Sequence, residues 1–93
     1  MAMSDDQVRK AFDMCRALAQ KLPERELKHF ESMHDRAQAF FGRSEKREKM
    51  MRWLGWMQGF LQARGIATLE HLKRMNMPDA AEYDSERDRG GHQ

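Results

Sequence analysis

The sequence predicts an all-α fold: a small helical hairpin bundle of three main helices, with a short C-terminal helix and a disordered tail. Three observations lead there. Apolar residues recur at spacings of three and four from Val8 to Met75, strand-like alternation occurs nowhere, and each periodic stretch is bounded by a capping residue, a glycine or a proline. The chain has 93 residues, enough for one domain, and its mean hydropathy of −0.95 leaves it a thin core. Residues 1–78 are read as that domain and residues 79–93 as the tail.

Ser4-Asp-Asp-Gln7 has the form of a capping box, a serine cap with a glutamine three residues on and two acids suited to a helix start. The helix it opens carries Val8, Ala11, Phe12, Cys15, Leu18, Ala19 and Leu22 inward, with Arg9, Lys10, Asp13 and Arg16 outside. Pro23 stops this helix or opens the next. Residues 24–41 form the second, with Leu27, Phe30, Met33 or His34, Ala37, Phe40 and Phe41 inward, and Gly42 ends it. Ser44 is the expected cap of a central helix over 45–64.

That central helix is the most apolar part of the chain, with both tryptophans and the inward stripe Met50, Trp53, Leu54, Met57, Phe60 and Leu61. Gly55, Gly59 and Ala63, four apart, make a ridge of small residues on the far side from Met57. Each glycine costs about 1 kcal/mol against alanine inside a helix, so the ridge predicts a close approach by another helix. Gly65 ends the central helix, Thr68 caps a last helix over 69–75 with Leu69 and Leu72 inward, and Met77-Pro78 closes it. The tail is rich in Asp, Glu and Arg, with one aromatic, Tyr83.

Charge is unevenly placed. Residues 79–93 hold Asp79, Glu82, Asp84, Glu86 and Asp88 against Arg87 and Arg89, a net of −3, which leaves +5 on residues 1–78 of a chain whose total is +2. Cys15 is the single cysteine, so a disulfide within the chain is excluded. No apolar run approaches the ~18 residues of a membrane span, and the N-terminus has no signal-peptide hydrophobic region. The expectation is a cytoplasmic chain with no membrane contact.

Chemistry-bearing patterns are few. Glu26-x-x-His29 and Glu31-x-x-His34 share the spacing of di-iron bundle ligands, but those sites need the two units on different helices. Here both fall on one helix, with the histidines about 140° apart around it, so no metal is expected. Cys15, on an inward stripe, reads as a small hydrophobe rather than a nucleophile. With no phosphate loop, nucleophile elbow or carboxylate pair, neither catalytic residues nor a cofactor are expected.

Two surfaces remain. Met51, Gly55, Trp56, Gly59 and Ala63 are the candidate interface, through which a second copy would pack antiparallel to form a homodimer. Arg43, Lys46, Arg47, Lys49 and Arg52 lead into Trp53 and Trp56 and are candidate phosphate contacts. The corner from Gly65 to Met75 adds the outline of a helix-turn-helix.

The run Lys49-Met-Met-Arg-Trp-Leu-Gly-Trp-Met-Gln-Gly-Phe-Leu, with Gly65-Ile-Ala-Thr-Leu-Glu70, resembles a segment of small uncharacterised proteins of tailed bacteriophages and prophages. It covers about a third of the chain. The resemblance implies a phage accessory protein acting in the bacterial host cytoplasm on a host machine or defence system, and carries over no site residues. The leading expectation is therefore a non-enzymatic, oligomeric module that binds an unidentified protein. The alternative is a nucleic-acid-binding module using residues 43–52 and the C-terminal corner.

Overall fold

The computed structural model describes residues 3–76, and four α-helices lie among them: α1 Asp5–Leu18, α2 Glu24–Ala37, α3 Arg47–Ala63 and α4 Leu69–Asn76. No strand occurs among the described residues. The tail expected from residue 79, and the Met77-Pro78 stop, lie outside them.

The capping box at Ser4 forms as read. Its Oγ accepts from the Gln7 amide at 3.2 Å, and Gln7 Oε1 accepts from the Ser4 amide at 3.2 Å. α1 tightens into a 3₁₀ turn over Ala19–Lys21, and Pro23 then stands immediately before α2. α2 stops at Ala37, four residues short of the expected end, and passes into a 3₁₀ turn, Gln38–Phe40. Packing accompanies the change of pitch: Phe40 meets Trp53 at a steep angle, 5.0 Å between ring centroids, and Phe41 meets Phe12 at 6.3 Å. Gly42 has φ 79°, the left-handed turn expected of it.

Ser44 is not the cap of α3. Residues Ser44–Lys46 are drawn into a further 3₁₀ turn, so Lys46 takes the capping position with no side-chain bond. The other end of α3 closes more completely. Gly65 has φ 74°, its amide donates to the Gln62 carbonyl at 3.0 Å, and the Ile66 amide donates to that of Leu61 at 2.9 Å, a Schellman motif. Thr68 caps α4 reciprocally with His71: Thr68 Oγ1 accepts from the His71 amide at 3.2 Å, and His71 Nδ1 accepts from the Thr68 amide at 3.0 Å.

The core is built on α1, not around α3. Val8, Ala11, Phe12 and Cys15 are fully buried, and α2, α3 and α4 each pack against α1. α2 contributes Phe30, Met33, His34 and Ala37, and α3 contributes Met50, Leu54, Met57 and Leu61. Met33 and His34, alternatives on sequence, are both buried. α4 adds Met75, whose Sδ lies 3.7 Å from Cys15 Sγ. Leu69 was expected inward, yet it is 63% exposed. It sits about 120° around α4 from Met75, so the short helix cannot turn both toward α1.

α3 is covered on one side only. Gly55, Gly59 and Ala63 are exposed, and a Cβ built on either glycine meets nothing within 4 Å. The close helix contact predicted for the ridge is not supplied by any described residue.

Candidate functional site

α2 and α3 both lean on α1 and meet each other over a shorter stretch. The divergence leaves an open groove of about 600 Å³, lined by His29, Met33 and Arg36 from α2 and by Arg52, Trp53 and Trp56 from α3. The spacing of each trio explains its convergence. Positions 29, 33 and 36 share one face of a helix, as do 52, 53 and 56.

The floor of the groove is aromatic and continuous. Trp56 packs on Phe30 at 5.7 Å and Phe60 at 5.2 Å between ring centroids, and stands nearly perpendicular to the His29 ring at 5.5 Å. Phe30 and Phe60 meet at 5.6 Å beneath. Trp56 remains 46% exposed, the largest apolar side chain left so open. The rim is cationic. Arg36 has no ion-pair partner among the described residues, and Arg52 reaches only the exposed Glu48, at 3.4 Å. Lys49 Nζ stands 5.5 Å from the ring centroids of both Phe40 and Trp53, extending the positive edge.

The five candidate phosphate contacts are not gathered on one surface. Arg43 and Arg47 line a separate cavity of about 260 Å³ beside the start of α1. Both have acidic partners there: Arg43 pairs with Glu45 at 2.9 Å, and Arg47 pairs with Asp5 at 2.8 Å and also donates to the Met3 carbonyl. A bond to its own backbone, and then the Arg43 contact, hold the Glu45 carboxyl below the usual carboxylate range. Lys46 has no ion-pair partner among the described residues. Of the five, only Arg52 lines the groove, with Lys49 beside it over the Trp53 ring.

The five candidate interface residues are divided as well. Trp56 belongs to the groove, Gly55, Gly59 and Ala63 form the bare ridge beside it, and Met51 is half-buried on the ridge's other flank. His29, Met33 and Arg36 were missed as groove residues. Their i, i+4, i+7 spacing was visible, but nothing in the sequence says that this face of α2 stands opposite Trp56.

Two buried polar groups complete the survey. His34 is 6% exposed, its Nε2 lies 2.6 Å from Asp13 Oδ1, and its Nδ1 has no hydrogen-bond partner, with Asp35 Oδ1 at 3.7 Å. The Asp13 contact joins α1 to α2. Burial pushes the Cys15 thiol up from its ordinary value of 9.0 to about 12, which leaves it a protonated hydrophobe at neutral pH. Among the described residues, no group of three or more His, Cys, Asp or Glu could hold a metal ion, and no helix is long and apolar enough to cross a membrane.

No family model matches this chain, and neither a curated protein nor a solved structure matches it. The functional reading therefore rests on the groove itself. A half-exposed tryptophan over an aromatic floor, edged by Arg36 and Arg52, offers apolar area at its centre and positive charge at its rim. In charge and polarity, that combination is complementary to an acidic ligand with an apolar or aromatic anchor.

Proposed function

We propose that this protein is a non-enzymatic binding module that holds an acidic segment of another protein in the α2–α3 groove. The observation that carries the reading is Trp56, 46% exposed beside Arg36 and Arg52. Tryptophan and arginine are the residues most often found to dominate protein interfaces, because each gains much on desolvation in a shaped contact. On the phage resemblance of residues 49–70, the partner would be a component of the bacterial host.

Anisotropy titration with two labelled peptides tests it, one rich in Asp and Glu around a single aromatic and one with those acids changed to lysine. The acidic peptide should bind at least about tenfold tighter, a difference of ~1.4 kcal/mol. Arg36→Glu, at an exposed position, should erase the preference while leaving the circular dichroism unchanged. Trp56→Ala should weaken binding to the same degree. Equal binding of the two peptides would sink the reading. Should single-stranded or duplex oligonucleotides bind instead, with affinity falling steeply as salt is added, the nucleic-acid alternative replaces it.

The bare ridge favours a second reading, that two copies pack across Gly55 and Gly59 into a dimer. Light scattering on Gly59→Leu tests this: a dimeric wild type and a folded, monomeric variant support it, and a wild type monomeric at high concentration ends it.

A further inference from the structure

We propose that the partner segment held in the α2–α3 groove is an acidic amphipathic helix, with an apolar or aromatic pair three residues apart and a carboxylate on either side of it. The inference rests on the reading of the groove as a receptor for acidic segments, and it fixes the conformation and residue pattern of the segment. Hydrogen bonding is the first argument. The amides of all six lining residues lie inside α2 or α3 and already donate to carbonyls four residues back. No strand edge exists among the described residues for an incoming chain to pair with.

The lining side chains do not make good that lack. Both guanidinium groups and both indoles only donate, and a ring nitrogen of His29 is the single strong acceptor among the six. An extended segment pressed onto the aromatic floor would leave its inward N–H groups without acceptors, and a buried amide with no partner costs affinity. A helix brings its backbone bonds with it.

Shape is the second argument. His29, Met33 and Arg36 each stand one residue before a buried position of α2, and Trp53 and Trp56 one residue before Leu54 and Met57 of α3. One residue is about 100° around a helix, so both walls are turned aside from the core and enclose a furrow between two helices. A third helix packs into such a furrow by setting its side chains between theirs. From His29 to Arg36 the α2 wall is about two turns long, ~10 Å, and two turns of a ligand helix match it.

Charge placement is the third. Arg36 stands on the α2 wall with no ion-pair partner among the described residues, and Arg52 on the α3 wall reaches only the exposed Glu48, at 3.4 Å. One cation on each wall calls for one carboxylate on each flank of the ligand's apolar stripe. On a helix with apolar residues at i and i+3, positions i−1 and i+4 lie ~70° to either side of the stripe's midline. Acids there meet the two arginines while the stripe covers Trp56, which the bundle leaves 46% exposed.

The test titrates the full chain with three labelled peptides of about 14 residues, short enough to be largely unfolded alone. The first carries the pattern. The second holds the same residues reordered so that apolar and acidic positions alternate, and the third is the first with a proline at its centre, away from the stripe. The patterned peptide should bind at least about tenfold tighter than the alternating one and about a hundredfold tighter than the proline one. Its binding should raise the helical circular dichroism at 222 nm above the sum of the free molecules, and should move the indole NMR signals of Trp53 and Trp56.

Equal affinity for the patterned and alternating peptides would overturn the proposal, and would leave the groove a receptor for acidic segments in another conformation. So would binding with no gain in helix, or a proline peptide bound as tightly as the first. Binding that leaves both indole signals unmoved puts the site elsewhere and ends the proposal together with the groove reading. Failure of every acidic peptide to bind removes both as well.

Discussion

Replacing Gly55 and Gly59 with alanine should make the folded protein more stable. Both lie inside α3, both are exposed, neither has positive φ, and a methyl group at either would meet nothing within 4 Å. The substitution therefore adds no clash with any described residue and removes only the conformational freedom that glycine loses on folding. Each change is worth about 1 kcal/mol in a helix interior, and neither added methyl meets a described neighbour that could offset the gain. The double variant should gain about 2 kcal/mol, against a total of about 5–15 kcal/mol for an ordinary domain. In urea, with a slope of about 1–3 kcal/mol per molar, the midpoint should rise by about 1 M at an unchanged slope. Circular dichroism at 222 nm measures it. A lower midpoint would refute the reasoning, since only a segment in close contact with the ridge could turn an added methyl into a clash. Run at several protein concentrations, the same melts show whether that segment belongs to another copy.

Two further outcomes follow from the buried polar groups. Asp13→Ala should destabilise by about 1–3 kcal/mol, because it leaves the buried imidazole of His34 without its one hydrogen-bond partner; adding His34→Leu should recover most of that loss, and an additive pair would show that the contact is idle. Cys15 holds its proton more firmly folded than unfolded, so its contribution to stability is complete below pH 9 and declines as pH rises toward 12. Melts of the wild type and Cys15→Ala from pH 8 to pH 11 should therefore converge as pH rises, and parallel curves would contradict the assignment.

The local rules were legible and the mutual arrangement was not. The capping box at Ser4 and the turns at Gly42 and Gly65 follow from residue type, because each is decided within a few residues. Ser44 failed as a cap for an equally local reason, a competing 3₁₀ turn that residue type does not announce. The core stripes of α1 and α3 could be read from period, but not that α1 would be the helix on which the other three rest. The groove depends on that choice. With α2 and α3 both seated on α1, they diverge, and His29, Met33 and Arg36 come to face Trp56 across open space. The sequence shows that Trp56 lies off the main stripe of α3, but the residues opposite it belong to a helix whose placement no periodicity specifies.

The attachment of α4 gives the bundle a seam. Eight residues are too few to remain helical alone in water, so α4 persists because Met75 and the half-buried Leu72 are held by the bundle, while Leu69 contributes little. Detaching α4 uncovers Met75 and one side of α1 but leaves the packing of α2 and α3 on α1 in place, so the amides of α4 should exchange with solvent through a partial opening while those of α1 await complete unfolding. The sulfur contact makes that opening visible. With Met75 withdrawn, Cys15 loses the neighbour 3.7 Å away that helps keep it dry. The rate at which a thiol reagent labels this single cysteine then counts how often α4 comes away while α1, α2 and α3 stay packed together.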